Sequence, residues 1–194
     1  MADEPDQPGA AGRERRSDGP TVLVGYASAH GSTRSIAERV AAGLREAPAE
    51  ADLRPLGEVA DVHTYDAFVI GSAVHDMAWL PEALAFTRRH RPALRTRPLW
   101  IFSVGAPAAL RGWGKAMVGQ EEQKVVGELL DALRPRGHRL FSGVIRPEHL
   151  SVSGRIALKA MGLRYGDYRD WADVEDWTRQ IAHDLVGGRP GGGD

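Results

Sequence analysis

There is no cysteine among the 194 residues of this chain, and that absence removes disulfides, thiolate metal sites, CxxC redox chemistry and any thiol nucleophile. Any redox chemistry must then reside in a bound cofactor. Long apolar runs are also missing. The longest nearly unbroken one, Leu99 to Leu110, falls short of the about 20 residues that a membrane-spanning helix needs. Nor is there an excess of charge of either sign. Lys and Arg number 25 against 26 Asp and Glu, so no overall field would hold a nucleic acid, and no nucleic-acid partner is expected. The first residues lack the apolar centre of a secretory signal, and the chain is expected to be cytoplasmic.

What is present is ordinary globular composition, 42% hydrophobic and 26% charged. Residues 1–19 and 187–194 are polar and rich in Gly and Pro, with little to bury, which predicts disordered tails around a single domain over 20–186. Within it, Thr21 to Ala27 (TVLVGYA) has the β-branched, apolar character of a strand buried on both faces. Ile36, Val40 and Leu44 follow at helical spacing. Ala51 to Leu56 predicts an outer strand and Ala67 to Gly71 a buried one, with a minimal helical turn in the short gap between them. A helix is predicted from Pro81 to just before Pro92, strands at Leu99 to Val104 and Leu140 to Ile145, and helices at Glu121 to Leu133 and along Val174, Trp177, Ile181 and Leu185. Alternating strands and helices predict an α/β fold in three α/β/α layers: a doubly wound, five-stranded parallel sheet in the order 2-1-3-4-5.

Ligands of such sheets bind beyond the carboxyl ends of the strands, where the strand order reverses. That singles out the loops Ser28 to Thr33, Ser72 to Leu80, and Ser103 to about Gln120. In the first loop, Ser28, Ser32 and Thr33 offer hydroxyls, Gly31 permits a tight backbone, and the chain enters a helix whose free N–H groups and dipole favour an anion. It has no lysine, which argues against a nucleoside triphosphate with magnesium, and it lacks the glycine pattern of a dinucleotide site. A phosphate monoester fits. Helix capping by Ser and Thr is the plainer alternative.

The run Ser28-Ala29-His30-Gly31-Ser32-Thr33 resembles the (S/T)-x-x-G-x-T phosphate loop of the flavodoxin superfamily. Ile70-Gly71-Ser72-Ala73 and Ser103-Val104 extend the resemblance to the branch that contains menaquinone-dependent protoporphyrinogen oxidase. The similarity covers most of Thr21 to Leu185, and Gly166-Asp167-Tyr168-Arg169-Asp170-Trp171 is similar to an uncharacterised flavodoxin-domain group within that branch. It implies a flavodoxin-like fold that holds FMN, with the phosphate in the first loop and Ser72, Ala73, Val74, His75 and Asp76 along the isoalloxazine, largely through their backbone. His75 stands where relatives often carry an aromatic residue. Trp79 is either a wall of the flavin or a staple for the helix at Pro81. Ser103, Val104 and Gly105 open the third loop, where small side chains let backbone approach a flat ligand.

Trp113 either covers the site or anchors a surface loop, and Arg111 and Lys115 either attract an acidic substrate or are solvated charges. The segment Ser151 to Arg164, with Arg155 and Lys159 beside an apolar face, predicts a basic amphipathic helix that packs as a crossover or subunit contact, or touches a membrane surface or a partner. The expected function is an FMN-dependent oxidoreductase, with protoporphyrinogen oxidation and a quinone acceptor implied by the resemblance. Alternatives are a flavodoxin-type electron carrier, against which the near-zero net charge speaks, and a flavin-free interaction domain. A homodimer is the default assembly. No metal site is expected: the seven histidines form no HExxH.

Overall fold

The computed structural model describes residues 19–75, 78–105, 126–149, 152, 155 and 164–187. In chain order its main strands are β1 (Thr21–Ala27), β2 (Glu50–Pro55), β3 (Ala67–His75), β4 (Ala78–Trp79), β5 (Leu99–Gly105) and β6 (Gly137–Ser142). Five of them run parallel in the order β2-β1-β3-β5-β6, and the short β4 folds back antiparallel on the end of β3. With β4 set aside, this is the 2-1-3-4-5 order expected from the sequence. The helices are α1 (Ser32–Glu46), α2 (Pro81–Arg89), α3 (Arg91–Thr96), α4 (126–133) and α5 (Trp171–Gly187).

Successive side chains of a strand point to opposite faces, so a strand apolar at every position feeds two cores. Val22, Val24, Val69 and Phe102 share one core with Ile36, Val40 and Leu44 of α1 and with Val174, Trp177 and Ile181 of α5. Leu23, Phe68, Ile70 and Ile101 share the other with Ala83 and Phe86 of α2, Leu94 of α3 and Leu133 of α4. Phe102, Phe141 and Trp177 form an aromatic trio with ring centroids 5.5–6.0 Å apart. The ring of Phe102 lies against the backbone of β3 at Gly71, where an added Cβ would fall 2.0 Å from Cζ. Gly71 thus lets a large ring fill the space above the sheet's centre.

Two elements differ from the sequence expectations. The helix predicted from Pro81 to just before Pro92 is present as α2, but a further short helix, α3, which the sequence reading did not include, opens at Arg91, because Pro92 is tolerated in a first helical turn. The strand predicted over Leu140 to Ile145 begins earlier, at Gly137, and stops at Ser142. β6 is the edge strand and is incompletely covered on both faces: His138 and Leu140 are exposed on one, and Arg139 on the other pairs with Asp173 of α5, so a search for a continuous apolar run passes over its polar positions. Gly143 donates its N–H to Gly105 C=O at 2.8 Å, and the chain then leaves the sheet to form β7 (Val144–Ile145), antiparallel to β8 (Gly166–Asp167). The minimal turn expected between β2 and β3 is present as a 3₁₀ turn at Leu56–Glu58. Of the helix expected over Ser151 to Arg164, Val152 and Arg155 are described as helical and exposed, and Arg164 as exposed and outside any helix. The N-terminal part of the helix from Glu121, and Arg111, Trp113 and Lys115, lie outside the described residues.

The β3–β4 hairpin is tied to the sheet by polar bonds. Leu80 N–H donates to Ser72 Oγ at 3.1 Å, and the Trp79 indole N–H donates to Ser103 Oγ at 2.9 Å. His138 Nε2 lies 3.1 Å from the same Ser103 oxygen. Since that oxygen already accepts from Trp79, its own proton is best placed to donate to a neutral imidazole. Desolvation of the ring pushes the His138 pKa below the ordinary histidine value of 6.5.

Two outcomes are expected. Gly71→Ala should lower stability to urea by about 3 kcal/mol through overpacking, whereas Gly127→Ala in α4, where an added Cβ meets nothing within 4 Å, should raise it by about 0.5–1 kcal/mol. Because folding depresses the His138 pKa, the unfolded chain takes up the proton first. The stability conferred by neutral His138 is complete above pH 6.5 and is lost as pH falls through the folded value. Urea midpoints at about pH 7.5 and about pH 5 should therefore differ less in His138→Gln than in the wild type, and equal differences would remove His138 from the account.

Candidate functional site

β1 ends at Ala27, and the chain turns through Ser28 to Gly31 into α1. Gly31 N–H donates to Ser28 Oγ at 3.0 Å, closing the turn. Gly31 is the N-cap residue and sits at φ 88°, a left-handed conformation that an L side chain resists, although the space around it is open. No side chain caps α1, and Ser35 N–H to Gly31 C=O is its first internal bond. The N–H groups of Ser32, Thr33 and Arg34 therefore have no acceptor inside the helix. Thr33 is 1% exposed, and its hydroxyl has no hydrogen-bond partner. A buried hydroxyl left this way costs free energy until something polar meets it.

This turn forms one end of an open cleft of about 190 Å³ at the carboxyl ends of the strands. Ser28, Ala29, His30, Ser32 and Thr33 line it from the first loop, Ala73 and Val74 from β3, and Val104 and Gly105 from β5. A larger groove of about 460 Å³ runs between α1 and α5, past the Arg39–Glu175 ion pair. It lies on the flank of the helical layer, away from the strand ends where a parallel sheet presents its ligand groups.

The remaining predicted residues are placed differently. Ser72 and Ser103 are buried register partners on the α2 side of the sheet, and their hydroxyls are engaged with Ala73 C=O, Leu80 N–H, Trp79 and His138. Trp79 is 2% exposed and belongs to the core shared with Ala83 and Phe86. It forms no wall of the cleft: its ring is drawn under the hairpin by apolar burial and by the bond to Ser103. His75 is exposed at the hairpin, outside the cleft lining. Asp76 lies outside the described residues.

The cleft also has a wall that the sequence reading did not include: Gly143, Val144, Ile145 and Arg146. Gly143 is tightly placed, since a Cβ there would meet Val104 Cγ1 at 3.1 Å and Ser32 Cβ at 3.4 Å. Val144 N–H donates to Ser32 Oγ at 3.1 Å. The available signal was position, because these residues follow the last parallel strand and so belong to the ligand end of the sheet. Among the described residues no group of three His, Asp or Glu side chains could hold a metal ion, and no helix is long and apolar enough to cross a membrane.

Comparison with known proteins agrees with this architecture. A protoporphyrinogen IX dehydrogenase (quinone) of Escherichia coli strain K12 is 23% identical over 173 residues, covering 84% of this chain and 94% of that protein. Among solved structures, a short-chain flavodoxin associated with a bacterial microcompartment superposes with a TM-score of 0.55 at 15% identity, over 87% of this chain and 97% of its own. A flavodoxin variant from Pseudomonas aeruginosa does so with a TM-score of 0.53 at 18% identity, over 86% and 99%. These structures share the fold. The model of the flavodoxin domain family matches residues 23–170, most of the chain, and the protein belongs to that family.

Proposed function

We propose that this protein binds FMN in the cleft beside α1 and serves as an FMN-dependent oxidoreductase of the cytoplasm, with protoporphyrinogen oxidation and a quinone acceptor as its reaction. The observation that carries the cofactor assignment is the first turn of α1, where an uncapped helix end and the buried, unpartnered Thr33 hydroxyl meet at the cleft. A phosphate monoester supplies acceptors for both, and the helix dipole favours its charge. Membership of the flavodoxin domain family supports a flavin as the bearer of that phosphate. The similarity to the Escherichia coli dehydrogenase, which extends over 84% of this chain, supports the reaction.

In this reading Ser28, Ser32, Thr33 and the amides of the turn hold the phosphate. Ala73, Val74, Val104 and Gly105 offer small or apolar surface and backbone to the isoalloxazine, while Val144 and Ile145 keep water from the cleft's other wall. When bound, FMN supplies a ring system that takes up and passes on electrons. The chain's own task is to orient it, and no acidic or basic side chain of the cleft is required to act on the substrate.

Thr33→Val separates binding from folding. It removes an unpaired buried hydroxyl, so stability of the flavin-free protein to urea should stay the same or rise by about 1 kcal/mol. FMN affinity, followed by the visible spectrum and quenching of flavin fluorescence, should fall about tenfold or more as a charge-assisted bond is lost. Gly31→Ala should cost about 1–2 kcal/mol of stability from the left-handed conformation alone. Absence of FMN binding by the wild type would sink the flavin assignment. FMN binding without turnover of protoporphyrinogen by any quinone tested would overturn the reaction and favour an electron carrier.

A further inference from the structure

The segment Gly166 to Trp171 has no part in the function proposed above, yet it is docked on the turn that carries it. β8 pairs with β7, and Tyr168 N–H donates to Gly143 C=O at 3.1 Å, which holds the segment over the start of α1. Arg169 then reaches into the helix, and its Nη1 donates to Ser35 Oγ at 2.8 Å. The other edge of its guanidinium clasps the Asp167 carboxylate through Nε and Nη2. Its face stacks 4.7 Å above the ring of Trp171. Asp167 is held below its ordinary carboxylate range chiefly by this pairing, so the pair stays ionised at neutral pH.

Ser35 passes the constraint on, donating its hydroxyl to Ser32 C=O at 2.8 Å. At the same time Val144 N–H occupies an acceptor position of Ser32 Oγ. The β7–β8 ribbon therefore grips the first turn at Ser35 and at Ser32, and leaves the Ser32 proton available to donate toward the cleft. A guanidinium fixed by Ser35, Asp167 and Trp171 has little freedom left to lose when a ligand binds.

We infer that Arg169 is a positioning residue for the flavin phosphate: through Ser35 it sets the first turn of α1 in the shape that the anion requires. The inference rests on the FMN reading and deepens it, adding a residue some 130 positions downstream of the loop it serves, as the sequence separation of the bond shows. Its effect is specific to the phosphate half of the ligand. Riboflavin, which carries the same ring without the phosphate, is indifferent to it.

The test compares FMN and riboflavin affinities, by fluorescence quenching, for wild type, Arg169→Gln, Arg169→Lys, Ser35→Ala and the double variant Arg169→Gln with Ser35→Ala. Circular dichroism and urea denaturation check that each variant is folded. Arg169→Gln should reduce the preference for FMN over riboflavin about tenfold, the size of one hydrogen bond to a charged network. Ser35→Ala should do the same, and the double variant should be no worse than either single one, since both break one linkage. Arg169→Lys, which keeps the charge but not the fork, should recover only part of the preference. Equal losses for FMN and riboflavin would reduce Arg169 to a structural role, and unchanged affinities would remove it from the site; both results overturn the inference and leave FMN binding by the wild type intact. If the wild type itself binds no FMN, the functional reading fails and this inference with it.

Discussion

A helix leaves the N–H groups of its first turn without acceptors, and α1 starts at Ser32 with no side chain to cap them. Much of the surrounding structure follows from that condition. Gly31 adopts its left-handed conformation so that the chain can swing from β1 into the helix and keep those N–H groups open to the cleft. Thr33 adds a hydroxyl that is buried and unpaired. Gly143 brings the last parallel strand close enough for the Val144 N–H to meet Ser32 Oγ, at a point where a Cβ would crowd Val104. Arg169 and Ser35 brace the same turn from the far end of the chain. Leaving these donors unpaired costs free energy that an acceptor in the cleft would offset.

The wall opposite that turn is governed by strand parity. Ser72 and Ser103 are register partners, and so are Ala73 and Val104. One step along both strands exchanges a pair of hydroxyls for a pair of small apolar groups. The hydroxyls fall on the α2 side, where they anchor Leu80, Trp79 and His138. Ala73 and Val104 fall to the cleft. That part of the cleft is thus made of backbone and short side chains, while the polar groups in the same segments hold the β3–β4 hairpin in place.

How much of this was legible in the sequence depended on whether the signal was local. β1, β3, β5 and α1 each carry their own pattern: strands apolar at every position and a helix with Ile36, Val40 and Leu44 on one face. The strand order followed from their alternation. The edge strand β6 differs from its expected span at both ends, because its incomplete cover permits exposed His138 on one face and Arg139, paired with Asp173, on the other, and because Gly143 acts as an exit from the sheet. The break between α2 and α3 was local but ambiguous, since a proline either follows a helix or opens the next one. The uncapped turn from β1 into α1 was legible because its hydroxyls, its glycine and its helix are contiguous.

The sequence by itself determined the layers and the placement of the cleft, since strand burial, helical periodicity and the turn at Gly31 are properties of short contiguous segments. It also determined, through the absence of cysteine, that any redox chemistry would have to rest on a bound group. Only the tertiary structure decided which side chains reach that cleft. By sequence Trp79 suits a flavin wall and a staple for the helix at Pro81 equally, and only its bond to the Ser103 hydroxyl and its burial place it under the hairpin, while nothing in the run from Gly166 to Trp171 indicates that Arg169 meets Ser35. The physical reason is that a side chain's role depends on partners brought together by folding. Periodicity says which face a residue occupies, and only packing says what stands opposite.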